Sequence, residues 1–410
     1  MQSNKLRMAI RSTAAIAALG MASQAMALDV PTGDDWDTSI YGYARLNAVY
    51  DIDEDVAIST EAGSYDLINT SGSDGATGNF GADASQTRIG LTTTHSSGAK
   101  MTVEGDFRGG TLRLRHGFGE YRGVLMGQTW SNFNSFVGNT STLDFDSLPG
   151  LAGLQGRVAQ GRYTTGPLSI SLEENVASIL GAAAVDSVGT PVFDINTGLQ
   201  ATDANGDPVF VGRTTASTQK EPLPTLTARL QDSQGGLSYS AAVLVHQLEV
   251  DGGTQDDTAV GVATFVAGKM ALTDMITIQG TLTYSDGANS YLYRSGDNFG
   301  ADSAYVVNGE LETISGYGGS VGAGFNLGGG SSINIGYGIV DVDWDDAADD
   351  LGAAEVAGES ETNSAVMANY QWTPVENVMM GIEYARLQRD NVDGSDGDAN
   401  RVMFAAQYNF

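Results

Sequence analysis

The chain contains no cysteine, only eight prolines and three histidines, and 20 basic against 50 acidic residues. Without cysteine there can be no disulfide, no thiolate metal ligand and no nucleophilic thiol. The net charge of −30 argues against a nucleic-acid partner, because phosphate backbones require basic patches. Beyond the N-terminal segment there is no continuous run of about 18 apolar residues, so no membrane-spanning helix is predicted.

The N-terminal segment has the features of a secretory signal peptide. Three basic residues precede a short apolar run, and Ala25-Met26-Ala27 forms a small-x-small cleavage site. We therefore predict that residues 1–27 direct export across the inner membrane. Residues 28–410 show no linker and no break in composition, so they are predicted to form a single domain.

Glycine is abundant, with 54 residues, and it lies inside stretches in which apolar and polar residues alternate. The C-terminus shows this pattern, since Val402, Phe404, Ala406, Tyr408 and Phe410 alternate with residues that are mostly more polar. A period of two predicts a strand with one apolar face. A last strand that ends on a bare aromatic residue fits the closing strand of a barrel in lipid.

Counting such stretches gives about sixteen strands, joined by seven short turns and eight mostly longer polar loops. One of the turns is placed at residues 117–120, and both chain ends fall on the turn side. This pattern predicts an all-β fold, a transmembrane antiparallel up-and-down β-barrel with short periplasmic turns and long extracellular loops. A soluble barrel or sandwich would show the same alternation. The signal peptide and the terminal aromatic residue favour the membrane barrel.

Aromatic residues near strand ends fit the girdles that mark membrane interfaces. They are Tyr41, Tyr50, Trp130, Trp344, Trp372, Tyr408 and Phe410.

Basic residues concentrate in the early strands. Arg113 and Arg115 share one face of their stretch and have leucines on the other. An arginine facing lipid at mid-depth costs roughly 2–4 kcal/mol, so this pair is predicted to face the lumen. With Arg45 and Arg88 on neighbouring strands, the pair is predicted to form a basic wall at a pore constriction that attracts anions. Lys100 and Arg108, on the polar face of the stretch 99–108, are predicted to add to this wall.

A simpler interpretation of these arginines remains open. They could be solvated charges on strand faces that pair with Glu104 and Asp106 on the next strand.

The connection 131–152 differs from the other loops in being rich in Phe and Leu. Apolar surface of that extent is not normally left exposed, so we expect this segment to fold into the barrel. Asp144 and Asp146 would then face the basic wall across the constriction. The alternative is a loop packed over the rim or against a neighbouring subunit.

Motifs for catalysis or metal binding are weak. Gly318-Gly319-Ser320-Val321-Gly322 matches G-x-S-x-G, but a nucleophile elbow requires a strand–turn–helix context and this stretch lies within a predicted strand. The three histidines show no ligand spacing. We therefore predict that the protein is not an enzyme and has no catalytic residue, metal or cofactor.

Several motifs resemble those of the Gram-negative trimeric porins, nearest the DcaP-like porins. They are Tyr41-Gly42-Tyr43-Ala44-Arg45-Leu46, Arg113-Leu114-Arg115-His116, the stretch from Gly127 to Phe133, Leu143-Asp144-Phe145 and the terminal Phe410. The resemblance implies a sixteen-stranded homotrimeric barrel with an inward third loop, embedded in outer-membrane lipid and lipopolysaccharide. It also implies passive diffusion of small anionic or neutral solutes such as dicarboxylates, and recognition of Phe410 by the barrel assembly machinery. The alternative function is that of an adhesin or structural surface barrel with a closed lumen.

Overall fold

The computed structural model describes residues 28–410 apart from 73, 74, 76, 183, 187–189, 192–209, 212–214, 253, 297 and 298. The predicted signal peptide, residues 1–27, lies outside the described residues. Within them, sixteen antiparallel strands form a closed barrel. The strands are β1 (Trp36–Asp51), β2 (Asn79–Asp83 and Arg88–His95), β3 (Lys100–Asp106), β4 (Arg113–Tyr121), β5 (Val124–Trp130), β6 (Arg157–Thr165), β7 (Leu168–Glu173), β8 (Thr225–Gln234), β9 (Leu237–Gly252), β10 (Gln255–Ala271), β11 (Ile276–Asp286), β12 (Ser315–Gly328), β13 (Ser331–Val342), β14 (Ser360–Val375), β15 (Val378–Asn391) and β16 (Asp396–Asn409).

The barrel closes between its first and last strands. β16 pairs with β1 from Tyr43 opposite Asn409 to Asp51 opposite Arg401. The short strand Leu28–Val30 also pairs with β1, at residues 38–40, which lie beyond the part of β1 that pairs with β16. Closure pairs the edges that an open sheet would expose. The predicted all-β up-and-down barrel is therefore confirmed.

Alternation along the strands separates the lumen from the outer surface. In β1 the side chains of Tyr43, Arg45 and Asn47 are buried in the interior, whereas Leu46 and Tyr50 between and beyond them are exposed outside. Such an outward apolar row is what lipid contact requires.

The two ends of the barrel differ in how their strands are connected. At one end, called the turn end, the strands are joined by short turns such as residues 122–123. At the other, called the loop end, they are joined by longer loops such as residues 131–156. The expected turn at residues 117–120 is wrong, because β4 continues to Tyr121 and reverses at Arg122 and Gly123. Both have positive φ, 49° and 82°, the geometry of a tight hairpin turn. The loop end also carries short helices at Asn289–Tyr291, Asp345–Leu351 and Ala353–Val356. Among the described residues, no helix is long and apolar enough to cross a membrane.

Loops from the loop end fill part of the lumen. The connection between β5 and β6, residues 131–156, is called the inward loop below. Its Leu148 and Leu151 pack with Tyr65 of the first loop and with Met367 and Leu387 of the wall. Its Phe133 packs 5.1 Å from Phe265 of β10, measured between ring centroids. The inward loop therefore crosses the lumen and lies against the wall opposite its own strands.

Candidate functional site

A cavity of about 790 Å³ lies in the lumen between the inward loop and the wall of β2, β4–β6 and β10–β13. The cations that line it are Arg88, Arg108, Arg113, Arg115, Arg157 and Lys269, and the carboxylates that line it are Asp144 and Asp146. The cavity is thus rich in positive charge although the chain as a whole is strongly acidic.

A β-bulge sets the direction of the side chains in β4. The pairing with β3 shifts so that Glu104 lies opposite His116 while Gly105 lies opposite Leu114. Arg115 and His116 are therefore both buried inside, where strict alternation would have placed one of them outside. From His116 onward, the positions of β4 that would have faced outward under strict alternation face inward, and the reverse. The sequence pattern alone did not indicate this change.

Arg113 and Arg115 line the cavity and are also paired with carboxylates of β3. Arg113 Nε donates to Asp106 Oδ1 at 2.6 Å and its Nη2 donates to Oδ2 at 3.2 Å. Arg115 Nη1 donates to Asp106 Oδ2 at 2.6 Å and its Nε donates to Glu104 Oε1 at 3.1 Å. The two interpretations of the sequence therefore describe one arrangement, a lumen-facing arginine pair whose charge is largely offset.

Arg88 and Arg45 take different positions. Arg88 lines the cavity, with Nη1 3.9 Å from Glu104 Oε1. Arg45 donates from Nη2 to the Leu143 carbonyl oxygen at 2.6 Å, and its guanidinium carbon lies 4.2 Å from the Phe145 ring centroid. Arg45 holds the inward loop, and it is not among the residues that line the cavity.

Asp144 and Asp146 line the cavity, but both are nearly fully buried. Asp144 Oδ2 accepts a hydrogen bond from the Gly63 amide at 3.1 Å and lies 3.6 Å from Arg401 Nη1. Asp146 Oδ2 lies 3.7 Å from Arg108 Nη2. Burial, with Asp144 close by, raises the pKa of Asp146. The ion pairs of these aspartates thus involve Arg108, which was predicted to add to the basic wall, and Arg401, which the sequence did not single out.

Glu383 of β15 holds the middle of the inward loop. Its carboxyl oxygens accept hydrogen bonds from the amides of Leu143 at 2.8 Å and Asp144 at 3.0 Å, and from Asn369 Nδ2 at 2.8 Å. Glu383 is buried, and a buried carboxyl group with three donors is firmly fixed.

Three further ionisable residues hold the rest of the inward loop, of which Glu173 and Arg294 are buried and Arg229 is half-buried. Glu173 accepts hydrogen bonds from Ser131 Oγ and the Asn132 amide, both at 2.6 Å. Arg229 donates to the Asn134 carbonyl oxygen, and Arg294 donates to the Ser147 carbonyl oxygen at 2.7 Å. Carboxyl groups therefore bind loop amides while guanidinium groups bind loop carbonyls. Sequence reasoning missed all of these residues, because each is an isolated charge on a distant segment.

Glycines on the inner face of the opposite wall make room for the inward loop. A Cβ atom at Gly318 would lie 3.1 Å from Gly150 Cα, and one at Gly381 would lie 2.7 Å from Leu143 Cδ2. At Gly338 a Cβ would meet the Pro149 carbonyl oxygen. The G-x-S-x-G match lies inside β12, so its glycines belong to this contact and not to a nucleophile elbow. The glycines at inward positions of these strands were the feature of the sequence from which this contact could have been predicted.

The predicted girdle is wrong for three aromatic residues. Tyr41 is buried and donates from its hydroxyl to Glu104 Oε2 at 3.0 Å, and Trp344 is buried with Nε1 donating to the Ser360 carbonyl oxygen at 3.1 Å. Trp130 lines the cavity. By contrast Tyr408 and Phe410 are exposed at the turn end, where Phe410 pairs with Gly42 of β1.

No group of three or more His, Asp or Glu side chains that could hold a metal ion occurs in the described part of the chain. The lining of the cavity is instead dominated by arginine side chains.

The closed sixteen-stranded barrel with a folded-in loop is the architecture of the outer-membrane porins, and the structural neighbours of the chain are such porins. One is the outer membrane channel DcaP of Acinetobacter baumannii, with 26% sequence identity and a TM-score of 0.72 over 93% of this chain and 99% of that chain. OmpF of Salmonella typhi, solved in complex with daunomycin, has 11% identity and a TM-score of 0.52 over 93% and 100% of the two chains. A trimer form of OmpT of Vibrio cholerae has 12% identity and a TM-score of 0.52 over 92% and 100%.

No protein-family model matches the sequence, and no curated protein matches it. The structural likenesses support an outer-membrane channel and an outer-membrane location.

Proposed function

We propose that the protein is an outer-membrane porin through which small hydrophilic solutes diffuse passively, with a preference for anions such as dicarboxylates. The observation that carries the proposal is the excess of positive charge around the cavity, where six cations and two carboxylates line the lumen and Glu104 and Asp106 offset only part of the arginine charge. A narrow passage with low-dielectric walls concentrates ions of the opposite charge. The loops at the loop end are acidic and would favour cations, whereas the cavity lining favours anions. The ion selectivity of the channel therefore shows which of these two regions controls permeation.

The expected result in planar bilayers is a steady open channel whose reversal potential in a KCl gradient lies on the chloride side. The preference should weaken as salt rises, because screening shortens the reach of the wall charges. A cation-selective channel would contradict the anion preference and assign control to the acidic loops. A barrel that inserts but does not conduct would instead favour the closed surface protein.

We also propose that three copies assemble through the outer surface of β5–β7. These strands are short, with β5 seven and β7 six residues long against 17 for β10. Their outward positions include the small residues Ala159 and Gly161 beside exposed Ile170 and Leu172. Short strands whose outward residues are small and apolar allow a second barrel to approach closely. The trimer form of the OmpT structure shows that a barrel of this fold can assemble in this number.

Gly161→Trp should convert the trimer to monomers while the barrel stays folded. A Cβ at Gly161 meets no atom within 4 Å, so the new side chain is tolerated within one copy and obstructs only a neighbour. Gly268→Trp on β10 is the matched control, since Gly268 also faces outward into open space. Light scattering of the detergent-solubilised protein measures the assembly. A trimeric Gly161→Trp variant would exclude this surface.

A further inference from the structure

The cations of the cavity differ in how completely they are paired. Asp106 receives two hydrogen bonds from Arg113 and one from Arg115, while Glu104 receives one from Arg115. Arg88 lies 3.9 Å from Glu104. The arginines that the sequence singled out therefore share two carboxylates, and several of their donors are already in use.

Arg157, at the start of β6, is in a different state. It lines the cavity and is half-buried. Among the residues that the structure describes, no carboxylate forms an ion pair with it, and its guanidinium group makes no hydrogen bond to protein. Its guanidinium charge and its five N–H donors are therefore not used by the described part of the protein, and the side chain that carries them lines the lumen.

An aromatic ring fixes Arg157 without neutralising it. Its guanidinium carbon lies 4.6 Å from the centroid of the Trp130 ring, which is directly opposite in the β5–β6 pairing. Trp130 is itself held between Phe136 of the inward loop, at 5.0 Å, and His116 of β4, at 5.7 Å, between centroids. A cation over an indole face is attracted to it but keeps its in-plane donors free.

We propose that Arg157 is the specificity-determining residue that binds the anionic group of a passing solute, with Trp130 as its positioning residue. The ligand class is an anion with paired oxygens, such as a carboxylate, because a planar guanidinium fork matches two oxygens at once. Arg113 and Arg115 then mainly shape the wall. This inference rests on the proposed anion preference and adds the residue that makes direct contact.

The test compares variants that keep the positive charge. In planar bilayers, succinate added to a chloride solution should reduce the chloride current of the wild-type channel. Arg157→Lys, which keeps the positive charge, should raise the half-blocking succinate concentration about tenfold, because the bidentate fork is lost. Arg113→Lys should raise it much less, since two Arg113 donors are already used by Asp106. Arg157→Gln should weaken block and also shift the reversal potential toward cations.

Two outcomes would overturn the assignment. One is a wild-type current that succinate does not reduce, and the other is an Arg113→Lys variant that weakens block as much as Arg157→Lys does. Both differ from failure of the proposed function, which would appear as a cation-selective reversal potential of the wild type.

Discussion

Glu383→Ala should give a channel with higher conductance and a noisier open state than the wild type. The substitution removes the acceptor for the amides of Leu143 and Asp144, which lie at the middle of the inward loop. Leaving a buried amide without its acceptor costs about 1–3 kcal/mol, so the two hydrogen bonds together stabilise the loop position by roughly 2–6 kcal/mol. Without them the loop centre leaves the wall and samples other positions, and the narrow part of the lumen widens. Single-channel recording in planar bilayers measures both effects.

Glu383→Gln provides a graded comparison, because its amide oxygen still accepts one of the two loop hydrogen bonds. Its conductance should lie between those of the wild type and Glu383→Ala. Glu249→Ala on β9 is the matched control, since the Glu249 carboxyl accepts a hydrogen bond from Gln247 of its own strand. Retention of the folded barrel in each variant is checked by comparing unheated and heated samples on denaturing gels. An unchanged Glu383→Ala conductance would show that the other buried anchors are sufficient.

The barrel could be predicted from the sequence because alternation is a local signal. Ile276 to Ser285 and Ile333 to Ile339 alternate strictly, and both lie in strands. Errors occurred where one backbone conformation decides the outcome. The turn at Arg122 and Gly123 requires positive φ at a non-glycine residue, and the bulge before His116 exchanges the faces of the rest of β4. Neither feature changes the hydrophobic pattern enough to be seen in it.

The candidate site could be predicted only in part, because it depends on register between strands. That Arg113 and Arg115 avoid lipid follows from the cost of burying charge in a membrane. That Asp106 offsets both of them was one of two open interpretations of the sequence, and the pairing of β3 with β4 decides in its favour. Arg157 lies next to no other arginine in the sequence, and only the β5–β6 pairing brings it to Trp130. Trp130 was predicted to lie at the membrane interface because the sequence alone does not show this pairing.

Gly338→Val should lower the conductance, the opposite of the effect expected for Glu383→Ala. A Cβ at Gly338 would meet the Pro149 carbonyl oxygen and would lie 2.9 Å from Leu148 Cβ. These are loop atoms held close to the wall, so they cannot yield without moving the loop backbone. Overpacking of this kind costs about 1–3 kcal/mol, less than the combined hydrogen bonds that hold the loop. The loop therefore stays inside the barrel and is displaced toward the arginine wall, which narrows the passage.

The matched control is Gly324→Val on β12, where the nearest atom to a new Cβ is Asn334 Oδ1 at 3.1 Å, the end of a side chain that can move. Gly324 also lines the cavity, so the control adds the same volume to the lumen without displacing the loop. Its conductance should fall less than that of Gly338→Val. Equal losses would mean that added volume alone narrows the passage. A rise in Gly338→Val would mean that the loop had left the barrel, and that its anchors are weaker than their buried hydrogen bonds imply.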